Sequence, residues 1–214
     1  MLKIDILTLF PEMFDGPFDA SIIKRAESKG LIEIKVHNLR DWGERERKNV
    51  DDRPYGGGVG MVLRVDIIDR ALHDLKSKVK SKKLKVVLLD ATGTRYTQAI
   101  AREFSNIDHL ILIAGHYEGV DHRVHEHLVN EVISIGDYVL TGGEIPTMVL
   151  TDSIIRLLPG VLGKDESSAD ESHKEPGYLE YPQYTRPETY KKWSVPKVLL
   201  SGNHGEINKW RGKA

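Results

Sequence analysis

Glycine is spread unevenly along these 214 residues, and where it gathers it makes room for a ligand. The clusters are Gly56-Gly57-Gly58-Val59-Gly60, Gly115-His116-Tyr117-Glu118-Gly119, and Ile135-Gly136-Asp137-Tyr138-Val139-Leu140-Thr141-Gly142-Gly143-Glu144. Without a Cβ, backbone amides and carbonyls can approach a bound molecule closely, which is what an adenine held by backbone groups requires. The plainer alternative for the last two clusters is a pair of tight turns with no ligand. The first is not a Walker loop, because Met61-Val62 stand where Lys-Ser/Thr is needed. With Asp51, Asp52, Arg53 and Tyr55 beside it, this loop has the groups to receive a flipped, planar base. Taken alone, it reads more simply as a surface loop.

Other chemistry is excluded by composition. The chain has no cysteine, which removes disulfides, thiolate-held zinc, iron–sulfur clusters and thiolate nucleophiles. The hydrophobic fraction is 40% and the charged fraction 29%, as in ordinary globular chains. No apolar run approaches the ~20 residues of a membrane span. Met1–Phe10 is too short and too quickly polar for a secretory signal. A cytoplasmic protein with no membrane partner is therefore expected. The net charge is −1, so nucleic acid is not advertised globally. Basic residues do cluster, at Lys76–Lys85, at Arg40–Arg53 and at Lys191–Lys213. Such clusters can hold phosphate backbones, although a solvated face is the simpler reading for Lys76–Lys85.

The elements that must position these loops alternate in type. Lys3–Leu9, Ile32–Asn38, Lys85–Leu89, His109–Ala114 and Glu131–Ile135 read as strands. Helical spacing covers Asp19–Lys29, ended by Gly30. A second helix carries Ile67, Ile68, Ala71, Leu72, Leu75 and Val79 on one face, with Asp66 as its cap. Thr97 caps a short helix ending near Phe104, and Pro146 sits in the first turn of a helix running to Leu158. Short apolar strands alternating with helices predict an α/β fold, a parallel sheet covered on both faces. The second and third glycine clusters then follow strand ends directly, where ligands bind in such sheets. From Lys164 to Tyr184 the chain turns polar, acidic and proline-punctuated, and reads as a mobile loop. Ser201–Arg211 starts a further helix.

Taken together, these segments resemble the tRNA (guanine-N1)-methyltransferases of the TrmD type, within the knotted SPOUT methyltransferases. The resemblance runs through Leu9–Phe14, Val50–Gly58, Gly115–Asp121, Ile135–Glu144, Leu158–Gly163, Tyr184–Pro187 and Leu200–His204, in order and over nearly the whole chain. It implies a deep trefoil knot, an obligate homodimer with the active site at the subunit interface, and S-adenosylmethionine as cofactor. The implied domains are a methyltransferase domain over 1–163, a mobile catalytic loop over 164–184, and the remnant or start of a C-terminal helical region over 185–214, which in the family continues into a small helical domain that helps grip tRNA. The implied activity is methyl transfer to N1 of guanine 37, beside the anticodon.

The resemblance also assigns residues. The cofactor would rest on Leu88 and Leu89, on Gly115, Tyr117 and Glu118, and on the run Ile135, Gly136, Asp137, Tyr138, Val139, Leu140, Gly142 and Gly143. Asp51, Arg53, Tyr55, Gly60 and Ser172 would meet the substrate. Arg156 matches the arginine facing the target base, against the alternative of a surface pair with Asp152. The proton acceptor is an aspartate before a serine in the family; here the string is Asp170-Glu171-Ser172, so register points to Glu171, and a one-residue slip to Asp170. No spacing demands a metal, and Mg²⁺ is left open. Two further readings are a non-catalytic RNA- or cofactor-binding relative and a ribose 2′-hydroxyl methyltransferase. Asp51–Gly58 speaks against the second, being associated with the guanine-N1 group.

Overall fold

The computed structural model describes residues 1–163 and 171–212. The chain divides into two compact units, Met1–Asp165 and Glu166–Ala214.

The first unit is α/β. Its sheet consists of β1 (Leu2–Thr8), β2 (Ile32–Asn38), β5 (Leu84–Arg95), β6 (His109–Ala114) and β7 (Glu131–Ser134), all parallel, in the order β2-β1-β6-β5-β7. A small antiparallel pair, β3 (Asp51–Asp52) and β4 (Val62–Leu63), lies outside it. Strand side chains alternate between faces, and the two faces carry separate cores. Ile4, Ile6, Val87, Leu89, Leu110 and Leu112 pack with α1 (Ser21–Ser28), α3 (Gln98–Phe104) and α5 (Glu144–Ile155). Leu7, Val86, Leu88, Ile111 and Ile113 pack with α2 (Val65–Ser77) and α4 (His122–His127). Every residue of β6 is buried, which is why HLILIA carries no polar alternation. Among the described residues, no helix is long and apolar enough to cross a membrane.

Several local expectations need correction. Asp66 does not cap α2; the helix starts one residue earlier, at Val65, and Asp66 instead accepts two hydrogen bonds from Arg64, at 3.0 and 2.8 Å. The guanidinium is a strong charge-assisted partner, and Arg70 adds a further hydrogen bond to the same carboxylate at 3.0 Å. Val79 falls outside α2, which ends at Ser77, and α5 stops at Ile155 rather than Leu158. Lys85 is not solvated like the lysines before it: it is largely buried, pairs with Glu103 at 2.5 Å and also with Glu131. The strand predicted to end at Leu89 runs on to Arg95 through an irregularity. Leu89 and Thr94 both stand opposite Ile133, so Asp90–Gly93 arches out of the sheet.

In the second unit are β8 (Thr189–Tyr190) paired with β9 (Trp193–Ser194), α6 (Lys197–Leu200) and α7 (His204–Arg211). Asn203 caps α7, its Oδ1 accepting from the amides of Gly205 and Glu206 at 3.1 and 3.3 Å.

Candidate active site

The carboxyl ends of β5, β6 and β7 open onto a cleft of about 270 Å³. Three backbone segments wall it: the Asp90–Thr92 arch, the loop Gly115–Gly119 after β6, and the run Ile133–Gly143 after β7. The two glycine loops lock onto each other. The Gly143 amide donates to the Gly115 carbonyl at 2.7 Å, and His116 bridges Gly142. A Cβ at Gly143 would lie 2.6 Å from the Gly115 nitrogen, and one at Gly142 would overlap the Glu144 and His116 side chains. Glycine is required here for the close pass of one loop over the other, as well as for any ligand.

The lining chemistry is selective. Leu89, Ile133, Ile135, Leu140 and Pro146 form apolar walls, and Asp90 and Glu118 supply carboxylates. Among the described lining residues there is no lysine or arginine. The Asp90 carboxyl is pushed up by burial, but hydrogen bonds from Thr92 and the charge of His125 outweigh this and hold it below its ordinary value. Such a cleft suits a guest with a flat apolar body and positive charge.

Most residues expected at the cofactor line this cleft: Leu89, Gly115, Tyr117, Glu118, Ile135, Gly136, Tyr138, Val139, Leu140, Gly142 and Gly143. Two lie elsewhere. Leu88 is fully buried on the α2 face, because adjacent strand residues point to opposite sides. Asp137 is exposed and paired with Arg95. Asp90, Thr92, His116, Ile133 and Pro146 were not anticipated. His116 could have been found inside its glycine loop, whereas the arch of Asp90–Gly93 leaves no periodic signal.

The loop carrying Asp51, Arg53, Tyr55 and Gly60 is strapped to the cleft's rim. The Glu118 amide donates to the Met61 carbonyl at 3.0 Å, and the Leu63 amide to Gly119 at 3.0 Å. A Cβ at Gly60 would overlap the Glu118 side chain. Gly56, Gly57, Gly58 and Gly60 all have positive φ, and Tyr55 projects with 98% exposure. Arg156 follows α5 as its C-cap residue. In the second unit, Ser172 Oγ accepts from the Glu180 amide at 2.9 Å. Glu171 belongs to that unit also, and Asp170 lies outside the described residues. Among the described residues, no group of three or more His, Asp or Glu is placed to hold a metal ion.

Residues 2–214 match the family described as tRNA (Guanine-1)-methyltransferase TrmD. The chain belongs to this family. It is 55% identical over 213 residues to a tRNA (guanine-N(1)-)-methyltransferase of Dictyoglomus turgidum, covering 100% of this chain and 84% of that protein. A Bacillus pumilus enzyme of the same name is 52% identical over 212 residues, covering 99% of this chain and 86% of its own length. One from Staphylococcus epidermidis is 51% identical over 210 residues, covering 98% and 84%. The chain is thus an enzyme of a family whose activity is methylation of guanine 37 in tRNA.

Proposed function

We propose that this enzyme transfers the methyl group of S-adenosylmethionine to N1 of guanine 37 in tRNA, with the cleft at β5–β7 as the cofactor site. The observation that carries the reading is the lining: carboxylates, apolar walls and interlocked backbone, with no lysine or arginine among the described lining residues. S-adenosylmethionine brings an adenine, a sulfonium and an ammonium, and the residues present fit each of them. Asp90 and Glu118 would face the cations, and the loops of Gly115–Gly119 and Gly142-Gly143 would meet the adenine through backbone groups.

When bound, the cofactor supplies an electrophilic methyl group. The residues of this chain must hold guanine in line with it and take the N1 proton, since neutral N1 is a poor nucleophile. The Asp51–Gly60 loop, fixed to the rim through Glu118 and Met61, is suited to receive the base, with Tyr55 available for stacking. Glu171, or Asp170 after a one-residue slip, would accept the proton. Arg156 would stabilise the charge that grows on O6 as the proton leaves. Ser172 would complete the substrate contacts.

The same reading includes the trefoil knot, a homodimer sharing its active sites, a cytoplasmic location and the three-part division at 163 and 184. The decisive assay incubates the protein with labelled S-adenosylmethionine and unmodified tRNA bearing guanine 37, then digests the RNA. Label in 1-methylguanosine is expected; label in a 2′-O-methylated nucleoside, or none, overturns the reading. Light scattering tests the dimer, and a monomer at assay concentration counts against shared sites.

A further inference from the structure

Beneath the cleft, two buried polar atoms face each other without a bond. Glu144 is the first residue of α5 and is 1% exposed. Its Oε1 accepts a hydrogen bond from Thr8 Oγ1 at 2.8 Å. Its Oε2 is sealed from solvent and has no hydrogen-bond partner, and the same holds for His116 Nδ1. The two atoms are 3.7 Å apart. The Gly142 backbone closes over them, leaving no space for even a Cβ. The imidazole is packed between Phe10, with ring centroids 4.8 Å apart, and Tyr117, at 5.2 Å.

The ring is therefore fixed in place with one edge hidden and one open. His116 lines the cleft and its side chain is 20% exposed. Nε2, unlike Nδ1, is not among the sealed and unbonded atoms, which leaves it as the ring nitrogen that can face the cleft. Buried polar atoms left bare cost stability, and these two are complementary once the ring proton sits on Nδ1. A movement of roughly 0.9 Å brings them to the ~2.8 Å of a charge-assisted hydrogen bond.

We propose that Glu144 and His116 form a dyad in which Nδ1–H donates to Glu144 Oε2 and the neutral Nε2 is presented to the cleft as an acceptor for a donor group of the cofactor. A carboxylate behind an imidazole fixes its tautomer and its ring orientation. S-adenosylmethionine offers ammonium, amine and hydroxyl donors to such an acceptor. Glu144 is a positioning residue that acts through His116, and Thr8 holds its other oxygen. The inference rests on reading the cleft as the S-adenosylmethionine site.

Glu144→Gln makes the idea testable, because the amide should reverse the ring. Thr8 continues to bond the side-chain oxygen, so the NH₂ group faces Nδ1 and donates to it. Nδ1 must then be the acceptor and Nε2 carries the proton. The measurement is long-range ¹H–¹⁵N correlation of the histidine rings in the full chain, with His116 assigned among the nine histidines by its loss in His116→Phe. The wild type is expected as the Nδ1–H tautomer at neutral pH without cofactor, and Glu144→Gln as the Nε2–H tautomer. By calorimetry, Glu144→Gln and His116→Phe should each bind S-adenosylmethionine about tenfold more weakly, as for one lost hydrogen bond. A wild-type Nε2–H tautomer, or a ring protonated at neutral pH, overturns the dyad without reliance on any variant's folding. Unchanged cofactor affinity in a folded Glu144→Gln protein with a reversed ring overturns the role of Nε2. If the wild type binds no S-adenosylmethionine, the cofactor assignment fails, and the tautomer of the free protein still decides whether the dyad exists.

Discussion

The two units of the chain are held together by different physics. In residues 1–163 a parallel sheet is buried on both faces, and Ile6, Leu88, Phe104, Leu110 and Leu112 have no exposed surface. Between 171 and 212, no described residue is buried. What organises that unit is a set of surface contacts: Trp210 with Tyr181 and Tyr184 at 6.5 and 6.2 Å between centroids, the Arg211 guanidinium 4.6 Å over Tyr181, and Lys191 over Tyr190 and Trp193 at 5.4 and 5.7 Å. Such contacts are each worth about 0.5–1.5 kcal/mol, whereas a filled core position is worth several times more. A ligand cleft built from interlocked backbone needs the first kind of support. On the proposed reading, a segment that would offer a proton acceptor and polar contacts to a large substrate can be built on the second.

If that division of labour holds, a substitution in the second unit should damage chemistry and leave folding alone. Glu171→Gln is expected to slow single-turnover methylation by ~10²–10⁴-fold, the usual cost of a lost general base. The melting temperature and S-adenosylmethionine affinity should stay at wild-type values. A normal rate in Glu171→Gln together with a crippled Asp170→Asn moves the base by one residue. Normal rates in both remove the base from this segment. The converse substitution lies in the first unit. Phe104→Ala empties a fully buried site on α3, beside the Lys85 ammonium 5.0 Å from the ring. It should cost about 3–5 kcal/mol and lower the melting temperature by roughly 6–20 °C. A loss of rate without a loss of stability in this variant would contradict the division.

The same contrast explains what the sequence made legible. Periodicity and capping chemistry report local physics, and they located the strands of the sheet and the Thr97 cap, whose hydroxyl accepts from the Ile100 amide. The glycine loops were legible because a close backbone pass leaves no choice of residue. Features made by distant segments were not. Asp5 joins His37 and His109, 32 and 104 residues away, and Glu144 meets Thr8 across 136. Nothing local marks these side chains as partners. Leu88 and Leu89 were expected to share one ligand, although strand alternation sends them to opposite cores. The Asp90–Gly93 arch was hidden because its residues obey no period.

A third prediction concerns the rigid unit alone. Asp5 lies on the α2 face of β1, with His37 Nε2 at 2.6 Å and His109 Nε2 at 2.5 Å. Burial pushes its carboxyl up, but the hydrogen bonds from His37 and His109 and their positive charge outweigh it, so the folded carboxyl titrates below its ordinary value of 3.8. A depressed folded value stabilises the native state above the unfolded value and is lost as pH falls through the folded one. Urea unfolding should therefore show stability declining below about pH 4. Asp5→Asn should cost about 1–3 kcal/mol at neutral pH and flatten this acid decline. An unaltered acid profile in Asp5→Asn would show that other carboxylates govern it.

The smallest expected effect falls in the second unit and tests the comparison most directly. Trp210 touches Tyr181 and Tyr184 by ring contact only, and it is partly exposed. Its replacement by alanine removes two aromatic contacts and leaves no sealed cavity, so the collapse penalty that makes core truncations severe does not arise. Global unfolding should shift by less than about 1 kcal/mol, or under roughly 4 °C. Local opening is another matter, because elements held by few contacts open at free energies near those of the contacts themselves. Limited proteolysis of Trp210→Ala should therefore cut within 171–212 several-fold faster than in the wild type, while fragments from 1–163 stay protected. A melting loss as large as that of Phe104→Ala would mean that Trp210 supports the core after all, and the two units would have to be treated as one cooperative body. Unchanged cleavage would mean that the aromatic contacts do not hold the segment, and its order would then have to come from contacts such as the Asn203 side-chain cap and the β8–β9 pair.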